Sequence, residues 1–289
     1  MKHPLVETLG RGWSRQLGEL FGSAESSITV SSAYITKAGV QFLVAHGGAV
    51  LSRGQVTVLT DLSPVHAAQG STDPEALIGL YAAAESVRLI HLPRLHGKVY
   101  VADEGQAIVT SGNLTAGGLR LNYEYGLRLL DARLAADVRR DVLDYAALGS
   151  DLGAADLAEL RKHTLDARAA LAEARTPAPA QERFDNAVRQ AKDVLVRGYA
   201  RGEPIHTAFA RTVLYVLRRE GPMTTRELHR HVQEIHPDLC DDENRVIEGE
   251  NFGRKWKHAV RTAQQRLKQR GQIERDDDGR WRTSSETAS

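Results

Sequence analysis

From residue 95 the chain reads Leu95-His96-Gly97-Lys98-Val99-Tyr100-Val101-Ala102-Asp103, then a polar turn of Glu104, Gly105 and Gln106, then Ala107-Ile108-Val109-Thr110-Ser111-Gly112-Asn113. An imidazole, an ammonium, a hydroxyl and a carboxamide in this order suit phosphoryl transfer. A phosphodiester repels nucleophiles, so a site that attacks one needs a nucleophile, positive donors for the equatorial oxygens and an acid for the leaving group. His96 is the candidate nucleophile, since a neutral imidazole can attack phosphorus when its other nitrogen is held by an acceptor. Lys98 supplies fixed charge, and Ser111 and Asn113 supply hydrogen-bond donors, doing electrostatically what a divalent metal does elsewhere. The spacing predicts two short strands joined by a turn. Paired antiparallel, they set His96 and Lys98 beside Ser111 and Asn113.

This stretch resembles the signature of the phospholipase D superfamily: His-x-Lys, four residues, Asp, six residues, Gly-Ser-x-Asn. Thr110 stands at the Gly position, while Ser111 and Asn113 fall in place. Glu124, in Asn122-Tyr123-Glu124-Tyr125-Gly126, lies where single-motif nucleases of that superfamily carry a glutamate that holds the nucleophilic histidine. The resemblance covers roughly residues 20 to 150. It implies a phosphohistidine intermediate, later hydrolysed by water, with no metal and no cofactor. It also implies that Asp103 stabilises the local turn and does not touch substrate. A second histidine is needed as acid, and no second His-x-Lys occurs among the other ten histidines. A symmetric homodimer that shares one site supplies it, as in single-motif members of the superfamily. His91 is a less favoured internal acid, and Tyr34 either lines the groove or packs in the core.

The elements that must position these groups follow from the pattern along the chain. The first half alternates helices near Trp13–Phe21 and Ala38–Ala45 with strands Ser27–Ala33, Gln55–Thr60 and Val87–Leu92. Asp73 and Pro74 read as N-cap and first residue of a further helix. Strands Lys98–Ala102, Ala107–Thr110 and Tyr125–Leu130 and a helix from Leu134 to Leu148 complete an α/β, phospholipase D-like domain with a mixed sheet over residues 1–150. Residues 151–204 read as a helical connector broken at Thr176-Pro177-Ala178-Pro179. Residues 205–289 read as a C-terminal winged helix-turn-helix domain: a helix His206–Arg219, a second capped by Thr224 or Thr225, a third from about Phe252 to Arg270, and a terminal hairpin. The 289 residues, 42% apolar and 26% charged, suffice for two cores.

On the third helix, Phe252, Trp256, Val260, Ala263 and Leu267 make an apolar stripe. Arg254, Lys257, Arg261, Gln265 and Lys268 repeat on the opposite side, and no acid occurs between Asn251 and Gly271. A solvated helix mixes charge signs to limit self-repulsion, so this face points to a polyanion, DNA by preference. The formal net charge of +1 hides this local patch. The acidic run Asp241, Asp242 and Glu243 reads as a helix start or an exposed loop, since hard-metal sites need defined spacing. Cys240 is the one cysteine, which excludes an internal disulfide. No run of eighteen apolar residues occurs, and the chain is read as cytoplasmic with no membrane partner. The expectation is a dimeric, metal-independent DNA nuclease of restriction or defence type. The alternatives are a DNA-binding or assembly protein with weak or absent catalysis, and a phospholipase-type phosphodiesterase.

Overall fold

The computed structural model describes residues 5–173, 177–199, 203–242, 244–247, 250–253 and 255–284. The chain divides into two compact units, Met1–Leu195 and Val196–Ser289.

The first unit is built on one sheet of β1 (Val6–Leu9), β2 (Ser27–Ser31), β3 (Gln55–Thr60), β4 (Ser86–His91), β5 (Val99–Ala102), β6 (Gln106–Thr110), β7 (Gly126–Leu129) and β8 (Ser150–Leu152). The strands lie in the order β1-β7-β6-β5-β2-β3-β4-β8. β2, β3 and β4 run parallel, and every other neighbour is antiparallel. The helices are α1 (Ser14–Ser23), α2 (Lys37–His46), α3 (Val50–Arg53), α4 (Pro64–Ala68), α5 (Pro74–Ala83), α6 (Ala132–Ala146), α7 (Ala154–Glu173) and α8 (Pro177–Arg197). This is the mixed α/β architecture that the sequence pattern predicts. Asp73 caps α5 by accepting the Glu75 amide, with Pro74 in the first turn.

Alternation along β5 sets the two layers of the core. Tyr100 packs on the rings of Trp13 and Phe21, with centroids 5.5 and 6.2 Å away. Val101, one residue on, packs with Ala107 and with Ala135 of α6. The edge strands β1 and β8 were not expected from sequence, being only four and three residues long. Residues 151–195 do not hang free of the sheet. Leu157 and Leu160 of α7 and Val194 and Leu195 of α8 are buried in its core. Arg168 also donates to the carbonyls of Ala67 and Ala68 at 2.8 and 3.1 Å.

The second unit holds α9 (Ile205–Glu220), α10 (Thr225–Ile235), β9 (Asn244–Ile247), β10 (Glu250–Gly253), α11 (Trp256–Gln269), β11 (Ile273–Arg275) and β12 (Trp281–Thr283). Its core gathers Phe209, Val216, Leu228, Trp256, Val260 and Trp281. Thr224 and Glu227 form a reciprocal capping box at the start of α10. One expectation is corrected: the third helix starts at Trp256, not near Phe252. Phe252 belongs to β10, where it pairs with Arg245. Gly253 follows at φ +78°, a left-handed backbone that cannot continue into a helix.

Candidate active site

The β5–β6 pairing sets the site. Val99 lies opposite Val109, and the amide of Thr110 donates to the carbonyl of Lys98 at 3.0 Å, which carries the ladder one residue further. His96 and Gly97 therefore leave β5 at the end where Ser111, Gly112 and Asn113 leave β6. The loop holding His96 is clamped on each side. The Ser31 hydroxyl donates to the Gly97 carbonyl at 3.0 Å, and the Lys98 ammonium donates to the His96 carbonyl at 2.7 Å. The His96 side is exposed, whereas Lys98 is only 6% exposed. Burial pulls the Lys98 ammonium below its ordinary pKa, and the negative charge of Glu124 opposes that shift. The same carboxylate, after burial and a Ser32 hydrogen bond, bears on Tyr100, whose phenol is raised. Lys98, Tyr100 and Glu124 thus share one electrostatic neighbourhood.

Ser111 is tied to the start of β7. Its amide donates to the Tyr125 carbonyl at 2.9 Å, and its hydroxyl accepts the Tyr125 amide at 3.1 Å and donates to Glu124 Oε2 at 2.5 Å. Glu124 Oε1 takes Asn122 Nδ2 at 3.1 Å. Both carboxylate oxygens are therefore occupied, by Ser111 and Asn122, and no hydrogen bond or ion pair joins Glu124 to His96 among the described residues. The carboxylate meets Ser111 and the field of Lys98, not the imidazole for which sequence reasoning nominated it.

Asn113 is oriented from the segment that follows β2. Its Oδ1 accepts the Tyr34 amide at 3.2 Å, which leaves Nδ2 as a donor with no partner among the described residues. Ser32 braces the same turn by accepting the Leu114 amide at 2.9 Å and donating to the Tyr34 carbonyl at 2.8 Å. Between Ser111 and Asn113, a Cβ on Gly112 would stand 2.6 Å from the Trp13 indole. Trp13 is fixed by Nε1 donating to the Gly118 carbonyl at 2.7 Å, and the Tyr100 hydroxyl donates to the Gly112 carbonyl at 2.9 Å. Glycine at 112 lets the indole press against the backbone that presents both donors.

Asp103 sits at φ +52° at the end of β5. It accepts the amides of Glu25, Ser26 and Ser27 at 2.9, 2.9 and 2.8 Å and the Ser26 hydroxyl at 2.6 Å. Partial burial pushes this carboxyl up, but the Ser26 hydroxyl and the three amides outweigh it and hold the group at about 2. Asp103 ties the hairpin turn to the start of β2.

Sequence reasoning missed a second polar cluster in the first unit, made of Asp61, His66 and His91 at the ends of β3 and β4. One signal lay in the text of the chain: an acid directly after the apolar strand Val56-Thr57-Val58-Leu59-Thr60, where parallel sheets collect functional groups. His91, raised above as an internal acid, is buried, and its Nδ1 accepts the Leu62 amide at 3.0 Å. Burial lowers it to about 4, against the opposing pull of Asp61 and a Thr60 backbone bond.

In the second unit Lys257, Arg261, Gln265 and Lys268 are all exposed on α11, while Trp256, Val260, Ala263 and Leu267 are buried behind them. Arg254 lies outside the described residues. Lys257 Nζ stands 5.2 Å from the centroid of the Trp256 ring. His229 of α10 is lowered by burial and by the charges of Arg261 and Lys257. The charges of α11 therefore act on His229 of α10.

Residues 17–144 match the family model described as "Cardiolipin synthase, PLD-like domain", and the large mixed sheet that they build matches a PLD-like fold. Among solved structures, Nuc of Salmonella typhimurium, a phospholipase D family member, shares 19% identity over 51% of this chain and 98% of its own, at TM-score 0.41. NucT from Helicobacter pylori shares 12% over 51% and 99%, at TM-score 0.40. A phosphatidylserine synthase from Haemophilus influenzae Rd KW20 shares 18% over 67% and 44%, at TM-score 0.41. No curated protein sequence matches the chain.

Proposed function

We propose that the chain is a metal-independent phosphodiesterase that cuts DNA as a homodimer, an endonuclease of restriction or defence type. Residues 1–150 carry catalysis, and residues 205–289 form a winged helix domain that holds DNA on α11 and β11–β12. The observation that carries this reading is that His96 and Lys98 lie at the end of the β5–β6 hairpin where Ser111 and Asn113 leave it, with Glu124 bonded to Ser111 and its charge acting on Lys98, in a segment that matches a PLD-like family model.

In this reading the His96 imidazole attacks phosphorus. A nitrogen–phosphorus bond forms, the phosphorus–oxygen bond to the leaving group breaks, and the leaving oxygen takes a proton from His96 of the partner subunit. Lys98, Ser111 and Asn113 stabilise the equatorial oxygens. Water then attacks the phosphohistidine, the nitrogen–phosphorus bond breaks, and the proton returns to imidazole. Support for the dimer comes from the rim of the site. Leu121, Tyr123 and Tyr125 flank Glu124 and are 69%, 84% and 66% exposed, an apolar surface of the kind that a second copy covers.

The test is plasmid and oligonucleotide cleavage in excess EDTA, wild type beside His96→Ala, with mass measured by light scattering. Cutting by a dimer that His96→Ala abolishes supports the reading. DNA binding without cutting by either protein favours the assembly-protein alternative. The family description names a lipid synthase, so headgroup release from phospholipid vesicles is the second arm. Release there with intact plasmid overturns the nuclease reading. Among the described residues no helix is long and apolar enough to cross a membrane.

A further inference from the structure

Asp61 is the centre of a polar cluster that the reaction above leaves unused. Its carboxylate is almost fully buried, yet it accepts the Ser63 amide at 2.8 Å, the Ser63 hydroxyl, and the Arg94 amide at 3.1 Å. Oδ2 also stands 3.4 Å from His66 Nδ1, and Oδ1 stands 3.9 Å from His91 Nδ1. Buried carboxylates persist only where donors surround them. Here the donors come from two chain segments that border the phosphate site.

The first segment is the loop into His96. Arg94, two residues before the nucleophile, is held at φ +62°, a left-handed backbone that costs an arginine energy and that Asp61 maintains through the amide. Its side chain is exposed and makes no ion pair among the described residues. The second segment is α4. His66 turns Nδ1 toward Asp61, its side chain is 37% exposed, and its ring meets Tyr34 edge-on at 5.4 Å. The backbone amide of that same Tyr34 orients Asn113. His66 is thus one ring removed from a proposed phosphate donor, and its Nδ1, though 3.4 Å from Asp61, makes no hydrogen bond among the described residues. Arg94 is as close along the chain to the nucleophile.

We propose that Arg94 and His66, set in place by Asp61, form an anion-binding flank for a second backbone phosphate, next to the one that His96 attacks. The inference rests on the phosphodiesterase reading of His96 and names the substrate class as a polynucleotide. A nucleic-acid strand carries a charge about every 3.4 Å of its axis, so a strand laid over the motif brings a neighbouring phosphate to the rim. A diester with one phosphate has nothing to place there. Contacts of this kind position substrate and carry no base preference. Asp61 acts through the other two and is a positioning residue.

The test compares wild type with Arg94→Gln, His66→Gln, the double variant and His66→Lys in EDTA. The substrates are a short oligonucleotide and bis(p-nitrophenyl) phosphate, a single diester. The double variant is expected to lower the ratio of kcat/KM on the oligonucleotide to that on the small diester about tenfold, through KM, the scale of one or two lost charge-assisted contacts. His66→Lys, which places a donor with fixed charge at the same point, is expected to retain most of the ratio. An equal loss on both substrates overturns the proposal, because it places the residues at the reacting centre or in the fold. An unchanged ratio overturns it as well. If the wild type cuts neither substrate, the proposed function fails separately. Binding of a labelled oligonucleotide by the His96→Ala protein, with and without the double substitution, then decides this inference: weaker binding sustains it and equal binding overturns it.

Discussion

At the scale of single residues, the site depends on a contact that contributes no reacting group. Trp13 presses on Gly112 so closely that a methyl group has nowhere to go. Gly112→Ala is expected to cost about 1–3 kcal/mol by overpacking. Because Ser111 and Asn113 flank the same peptide, cleavage should fall more than stability alone explains, as urea unfolding beside single-turnover rates would reveal. Asp103 gives a second prediction with a definite sign. Its folded pKa of about 2 lies below the unfolded value near 4, so its contribution is complete above pH ~4 and is lost as pH falls toward 2. Asp103→Asn should lower the melting temperature at pH 6 and have little effect at pH 2. That His96 and Lys98 lie beside Ser111 and Asn113 was legible because their spacing spells a hairpin, whereas Glu124 was nominated by the resemblance and meets Ser111, not His96. Asp61, Arg94 and His66 were not legible, since β3, α4 and the β4–β5 loop meet only when β3 and β4 pair in parallel.

At the scale of elements, the stripe Trp256, Val260, Ala263 and Leu267 announced which face of α11 is buried, and the structure buries all four. What periodicity could not reveal was the helix start, because a glycine with positive φ leaves no trace in an apolar count. The edge strands β1 and β8 were equally silent, being too short for a period of two to register. The proposed role of α11 gives a third prediction. Replacing Lys257, Arg261 and Lys268 singly by Gln in His96→Ala protein should weaken DNA binding across sequences and reduce the slope of log affinity against log salt by about one each. Slopes that stay constant would move the DNA surface away from this helix.

At the scale of the whole molecule, each unit carries, among the described residues, one fully buried, neutral histidine. His91 is lowered to about 4 by burial, against the pull of Asp61. His236 is lowered to about 3 by burial and the charge of Arg211, with Nε2 2.7 Å from the Thr212 hydroxyl. Both lie below the unfolded value near 6.5, so their contribution is complete above that pH and is lost as pH falls through it, to about 4 and about 3 respectively. Melting temperature followed from pH 7 to pH 4 should fall, and His91→Asn or His236→Asn should flatten part of that fall. The strand order of the sheet also sets a sequence of events in time. The parallel strands β2, β3 and β4 are near neighbours along the chain, but β5 must then return to the far side of β2, and β1 pairs with β7. β1 consequently gains this neighbour only after β7 has been made, and Ser31 cannot grip Gly97 until β5 has been inserted. Pulse-labelled hydrogen exchange during refolding should protect Val6–Leu9 after Gln55–Thr60, so a nascent chain carries the chemistry of the motif long before it carries the geometry.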